Sequence, residues 1–169
     1  MQITLYIAPS IDGYIATSDK DSEWVSPVCG ESFMQTINDY GCIILGSHTY
    51  DQYMGEMYPV KDVLNIVVSS DTNRQSSDPY LVFAPSPSAA ISLAQSHGHT
   101  KALLIGGGTV NAAFLKESLI DDIILDIHPL ILGKGIKEYE NIEKMVHLRR
   151  TSVKPMDDDL VQIRYQIIK

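Results

Sequence analysis

Cysteine is scarce in this chain. Cys29 and Cys42 are its 2 cysteines in 169 residues, and their separation fits neither a metal-ligand nor a redox spacing. They read as small apolar fillers in a reducing compartment. Long apolar runs are lacking too: none approaches the roughly 20 residues that cross a bilayer. The opening residues read as a strand rather than as a charged-then-apolar leader. A cytoplasmic protein with no membrane partner is expected. Basic charge is in deficit, with 13 Lys and Arg against 21 Asp and Glu for a net charge of −8. Phosphate backbones are held by basic patches, so no nucleic-acid partner is expected. An anionic small ligand stays compatible, because a site needs only local donors. The acidic run at 157–159 has no ligand company and reads as a solvated hairpin tip, so no metal is expected.

What is present suits one domain over residues 1–169, with 44% hydrophobic and 20% charged residues. Strands are expected at 3–8, 42–45, 63–68, 80–83, 102–105 and 122–132, and a closing hairpin at 146–153 and 160–168. Residues 14–16 resume extended structure after a break at 9–13, and 18–23 form a solvated loop. Helices are expected at 27–40, stopped by Gly41, at 49–54, at 86–97 and after the glycines at 106–108. Strands alternating with helices predict a mainly parallel sheet covered on both faces.

The run LLIGGGTVNAAFL at 103–115 is the strongest local signal. An apolar strand leads into three glycines and then a helix. Without Cβ atoms, Gly106, Gly107 and Gly108 let a ligand approach the backbone, and the helix that follows offers free N–H groups to an anion such as a phosphate. The spacing is neither the interrupted-glycine dinucleotide fingerprint nor a P-loop. A tight turn that needs glycine for sterics alone is the alternative.

Four segments follow one another in order: SIDGYIA at 10–16, ILGSHTYD at 44–51, NIVVSS at 65–70 and the glycine run. In this order they resemble the dihydrofolate reductase superfamily. PLILGKG at 129–135 is similar in particular to small bacterial relatives grouped with the reductase domain of riboflavin biosynthesis. The resemblance implies an α/β fold, a dihydrofolate-reductase-like three-layer sandwich with a mainly parallel central sheet and an antiparallel C-terminal hairpin. It implies an NAD(P)H-dependent reductase that passes a hydride to a pterin or aminopyrimidine, a small heterocyclic substrate. The activity most like it is 5-amino-6-(5-phosphoribosylamino)uracil reductase, and dihydrofolate reductase is the alternative. From another class, a non-catalytic nucleotide-binding module is carried as well. NADPH is the implied cofactor, with NADH as alternative, and a homodimer is implied by relatives that pair through their sheets.

Residue by residue, the resemblance places Ala8 and Ile15 at the nicotinamide. It places Gly46, Ser47, His48 and Thr49 at the phosphates, and Val68, Ser69 and Ser70 at the adenosine side. Ile105, Gly106, Gly107, Gly108, Thr109 and Val110 lie under the pyrophosphate, with a cis peptide between Gly106 and Gly107. Ser47 stands where dihydrofolate reductases usually carry an arginine, and it offers no charge or fork. His48, Arg74 and Lys101 are the cations to compensate. Ile105 stands where riboflavin-type reductases usually carry a glutamate. Glu31 is the nearest candidate for a proton-donating acid on the first helix, with a solvated first-turn glutamate as the alternative. Asp126, inside a strand where a lone carboxylate is costly, is a candidate catalytic and substrate-contacting residue. A structural pairing with His128 or Arg164 is its alternative. Trp24 is read as a lid aromatic that stacks on the heterocycle, with cover for the edge of the core as its alternative, and Asp12 first as a turn residue and second as a site residue.

Overall fold

The structure, a computed structural model, describes residues 1–157 and 159–169; Asp158, within the acidic run at 157–159, lies outside the described residues. In chain order the elements are β1 (Gln2–Ile7), β2 (Tyr14–Ala16), α1 (Pro27–Tyr40), β3 (Cys42–Gly46), α2 (Ser47–Gln52), β4 (Leu64–Val68) and β5 (Leu81–Ala84). There follow α3 (Pro87–Ser96), β6 (Lys101–Leu104), α4 (Gly108–Lys116), β7 (Asp122–Ile127), β8 (Ile136–Lys137), β9 (Leu148–Pro155) and β10 (Val161–Ile167).

Among the described residues, eight strands form one sheet in the order β5-β4-β3-β6-β1-β7-β10-β9. From β5 to β7 every pairing is parallel, and β10 joins β7 antiparallel and carries β9 at the edge. Parallel strands buried on both faces read as continuous apolar runs. Ile43, Ile44 and Leu45 of β3 are such a run, each fully buried.

The period of two sorts side chains to two cores. Ile3, Leu5 and Ile7 of β1 face one side, with Ala90 and Ala94 of α3 and Phe114 of α4. Tyr6 faces the other, with Ile37 of α1, Tyr50 of α2 and Ile124 of β7. The result is the expected three-layer α/β sandwich. No described helix is long and apolar enough to cross a membrane. Cys29 and Cys42 are both buried and free.

One local expectation needs correction. The strand expected at 122–132 ends at Ile127: His128 adds only an isolated parallel bridge to Ser10, and the chain bends at Pro129. Beyond it lies β8, which sequence periodicity did not reveal. It pairs antiparallel with β2 in a separate two-stranded ribbon. Asp12 does serve the turn, and it also accepts hydrogen bonds from Ser10 Oγ (2.7 Å) and from the backbone N–H of Leu132 (3.1 Å) and Gly133 (2.7 Å). That carboxylate fastens the loop after β1 to the loop after β7.

Candidate functional site

Among the described residues, the four helices start in two different ways. α1 and α3 are capped by serine: Ser26 Oγ accepts from the Cys29 N–H, and Ser86 Oγ accepts from the Ala89 N–H. α2 and α4 start at Gly46 and Gly107, and neither start has a side-chain cap. A cap satisfies N–H groups that are otherwise orphaned at a helix start. The two glycine starts are neighbours at the carboxyl ends of β3 and β6. The Gly46 N–H donates to the Gly106 carbonyl at 2.7 Å, and the Ile105 N–H donates to the Ile44 carbonyl at 2.9 Å.

Glycine is needed here for stated reasons. Gly106 has φ 101°, which L side chains avoid, and the Gly106–Gly107 peptide is cis, as the resemblance implied. A Cβ on Gly108 would overlap the Lys137 carbonyl of β8. A Cβ on Gly107 would stand 3.3 Å from Thr49 Oγ1, in the space between the two helix starts.

Beside this pair of helix starts opens a cleft of about 430 Å³. Its walls come from the end of β1 (Ile7, Ala8), β2 (Ile15, Ala16) and the start of α1 (Pro27, Cys29, Gly30, Phe33). They are completed by α2 with the residues after it (Thr49, Gln52, Tyr53) and by the glycine turn (Ile105, Gly107). Gln52 Nε2 donates to the Lys20 carbonyl at 2.8 Å, and Ser22 Oγ lies 2.9 Å from Tyr53 Oη, so the loop at 17–26 is tied across the mouth. Among the described residues lining the cleft there is no Asp or Glu. Its polar groups are hydroxyls, the Gln52 amide, the Cys29 thiol and the Lys20 ammonium. Burial pushes the Cys29 thiol far above its usual range, so it stays protonated.

The sequence candidates therefore divide. Ala8, Ile15, Thr49, Ile105 and Gly107 meet at the cleft. Gly46, Gly106 and Gly108 are buried, Ser47 and Val110 are half-buried, and His48 is exposed. Thr109 is exposed at the helix start, and its hydroxyl donates to Glu140 at 3.1 Å. Val68, Ser69 and Ser70 end β4 beyond α2, where Ser69 Oγ accepts from the Asp71 N–H at 3.1 Å. Of the cations weighed against Ser47, Arg74 lies beside α2, paired with Asp51 and over the rings of Tyr50 and Phe83. Lys101 opens β6 at the opposite end of the sheet, 4.6 Å from the centre of the Tyr40 ring.

Glu31 does not face the cleft. It is exposed on α1, whose inward positions are Cys29, Gly30 and Phe33. Asp126 is fully buried on β7 and lies behind the cleft, not in its wall. Its carboxylate accepts from Tyr6 Oη at 2.6 Å and from Gln162 Nε2 at 2.9 Å. The pairings weighed for it from sequence are not the ones formed. His128 bonds the Asp126 carbonyl, and Arg164 Nε donates to Gln162 Oε1. Trp24 packs edge-on against His128, with ring centres 5.1 Å apart, outside the cleft. Tyr6, Gln162, Gln52 and Tyr53 escaped the sequence reading. Only the alternation of β10 could have pointed to Gln162, as a polar residue on an inward position.

Comparison with known proteins agrees with the fold. The "Uncharacterized protein YwjB" of Bacillus subtilis (strain 168) is 29% identical over 171 residues, covering 95% of each chain. A putative riboflavin biosynthesis protein from Shewanella sp. PV-4 superposes with a TM-score of 0.81 at 22% identity over 100% of both chains. A diaminohydroxyphosphoribosylaminopyrimidine deaminase/5-amino-6-(5-phosphoribosylamino)uracil reductase from Thermotoga maritima superposes with a TM-score of 0.76 at 17% identity, over 99% of this chain and 56% of that one. The family profile of the RibD C-terminal domain matches residues 1–162, and on that match the chain belongs to the RibD C-terminal domain family.

Proposed function

We propose that this chain, as one domain, is an NADPH-dependent reductase that passes a hydride to a pterin or aminopyrimidine. Its activity is most like 5-amino-6-(5-phosphoribosylamino)uracil reductase, and NADH is the alternative donor. The observation that carries this reading is the pair of uncapped helix starts, α2 and α4, meeting at Gly46 and Gly107 beside an apolar cleft. The residues fit a dinucleotide: a Cβ at Gly107 would fill the gap beside Thr49 that the diphosphate needs. Free N–H groups at 47–49 and 107–109 hold the phosphates. Ala8 and Ile15 flank the nicotinamide, which when bound supplies the hydride. Val68, Ser69 and Ser70 lie along the adenosine side. The apolar wall from α1 excludes water and holds the acceptor ring against the donor. The chain works in the cytoplasm and pairs as a homodimer through its exposed edge strand β9; sedimentation as monomer alone would discard the pairing.

The absence of a carboxylate from the described cleft wall favours one second reading, a nucleotide-binding module without turnover. It also weighs against dihydrofolate as acceptor, because Glu31 points away and Asp126 is sealed behind Tyr6. Titration with NADPH and with NADH, followed by fluorescence, tests the cradle. Binding of at least one is expected, and Gly107→Val abolishes it. No binding of either coenzyme would dismiss both readings. Oxidation of bound NADPH in the presence of the phosphoribosylamino-uracil then separates the enzyme from the module.

A further inference from the structure

Ser26 and His128, 102 residues apart, meet on the far side of the cleft wall. The Ser26 N–H donates to His128 Nε2 at 3.1 Å. An imidazole nitrogen accepts only when it carries no proton, so the ring proton is on Nδ1. Nδ1 lies 2.9 Å from the Asp126 carbonyl and donates to it. Both nitrogens are engaged and the ring is neutral. His128 is 2% exposed, so no water replaces either bond cheaply. Ser26 is the cap of α1, and Ser22, Val25, Ser26, Pro27, Cys29 and Gly30 all belong to the cleft wall.

We propose that neutral His128 is a positioning residue that docks the start of α1 and the loop before it onto β7, and that protonation of His128 undocks this wall of the cleft. A second ring proton must go to Nε2. That turns the acceptor into a donor facing the Ser26 N–H, and the bond is lost. Among the described residues, the groups facing the ring are few. From β7 comes Asp126, whose carboxylate is turned to Tyr6 and Gln162. The loop before α1 contributes Trp24 and Ser26, which do not titrate in this range. From the β9–β10 turn comes Asp157, with Asp159 lining the same hollow beside Trp24 and His128. After β1, the Pro9 carbonyl accepts from the His128 N–H at 2.9 Å. Burial opposes the proton, while the Asp126 carbonyl and the charges of Asp126 and Asp157 favour it; burial outweighs them and the pKa lies below the usual 6.5. An undocked imidazole with its ordinary affinity binds the proton first. Docking is therefore at full strength above about pH 6.5 and weakens as pH falls below it. The inference requires no ligand, so it stands apart from the proposed chemistry.

Trp24 is the only tryptophan in the sequence and rests on the His128 ring, which makes it the reporter. The intact protein is titrated from about pH 7.5 to about pH 5. Trp24 emission is expected to change in a one-proton step below about pH 6.5 while far-ultraviolet circular dichroism stays constant. Over the same range, exchange of the Ser26 amide, corrected for intrinsic rate, is expected to quicken about tenfold or more. In His128→Gln the amide oxygen accepts from Ser26 at every pH, so the step is expected to vanish. A flat wild-type titration, or the same step in His128→Gln, would overturn the proposal. Should that variant not fold, the ¹⁵N spectrum of the wild-type imidazole that cross-relaxes with Trp24 decides. Protonation at Nδ1 near neutrality with titration below about 6.5 supports the proposal, and an Nε2–H tautomer or a higher pKa overturns it.

Discussion

The hydroxyl of Tyr6 donates a 2.6 Å hydrogen bond to the carboxylate of Asp126, so a residue of β1 at the cleft wall holds an acidic side chain that the solvent never reaches. Gln162 completes the arrangement from β10, and Arg164 Nε in turn donates to Gln162 at 3.0 Å. Buried charge is tolerable only when it is fully bonded. Tyr6→Phe removes the shorter of the two bonds and leaves an oxygen of Asp126 unpaired. A loss of about 2–4 kcal/mol is expected in urea denaturation. Asp126→Asn keeps an acceptor for Tyr6 without the charge, and its loss is expected to be smaller. Equal losses would mean that the charge itself carries no cost.

Gly46 and Val110 are in tight contact across the two helix starts. A Cβ on Gly46 would lie 2.8 Å from Val110 Cγ2. Gly46→Ala is expected to cost about 1–3 kcal/mol through overpacking. Val110→Ala removes the offending methyl groups, so the double variant is expected to recover most of that loss in a double-mutant cycle. Additive losses would show that some other contact dictates glycine at this position.

Burial pushes the Glu138 carboxyl up to about 6 from 4.5. A raised folded pKa means that the folded state prefers the neutral form. The stability it contributes is present below about pH 4.5 and is lost as pH rises through about 6. Glu138→Gln is therefore expected to be more stable than wild type at neutral pH, by on the order of 1 kcal/mol or a few degrees in Tm. The two proteins should converge toward about pH 4.5. A variant less stable than wild type at neutral pH would refute the assignment.

The exposed carboxylate of Asp12 is held below its usual range, first by the hydrogen bond from Ser10 and then by the N–H groups of Gly133 and Leu132. Its contribution is present at neutral pH and is lost as the carboxyl protonates at strongly acid pH. Asp12→Ala is expected to quicken amide exchange at Leu132 and Gly133 at neutral pH and to leave the sheet interior unchanged. Unchanged exchange at both amides would show that the loop is held by other contacts.

Much of the sheet was legible because its strands obey simple periodicity. The apolar runs of β3 and β6 and the glycine stop of α1 at Gly41 are local signals, and each was found where the residues pointed. β8 was not legible, because two residues carry no period, and its partner β2 lies more than a hundred positions away. The glycine turn announced its backbone geometry through its own residues. The surroundings of Asp126 did not, since Tyr6, Gln162 and Ser32 meet only once β1, β10 and α1 are packed together. Trp24 was misjudged for the same reason: nothing local in the sequence says that His128 waits beneath it. Glu31 fell on the solvent side because one helix turn has only one inward face, and Cys29, Gly30 and Phe33 occupy it.

Strand β6 alone touches both β1 and β3 in the sheet. The two uncapped helix starts follow β3 and β6, on either side of the exposed turn at Gly98. A chain severed at that turn would carry one of the two uncapped helix starts on each fragment. Any small molecule gripping both halves would then act as a clasp, drawing the severed pieces together in proportion to its concentration.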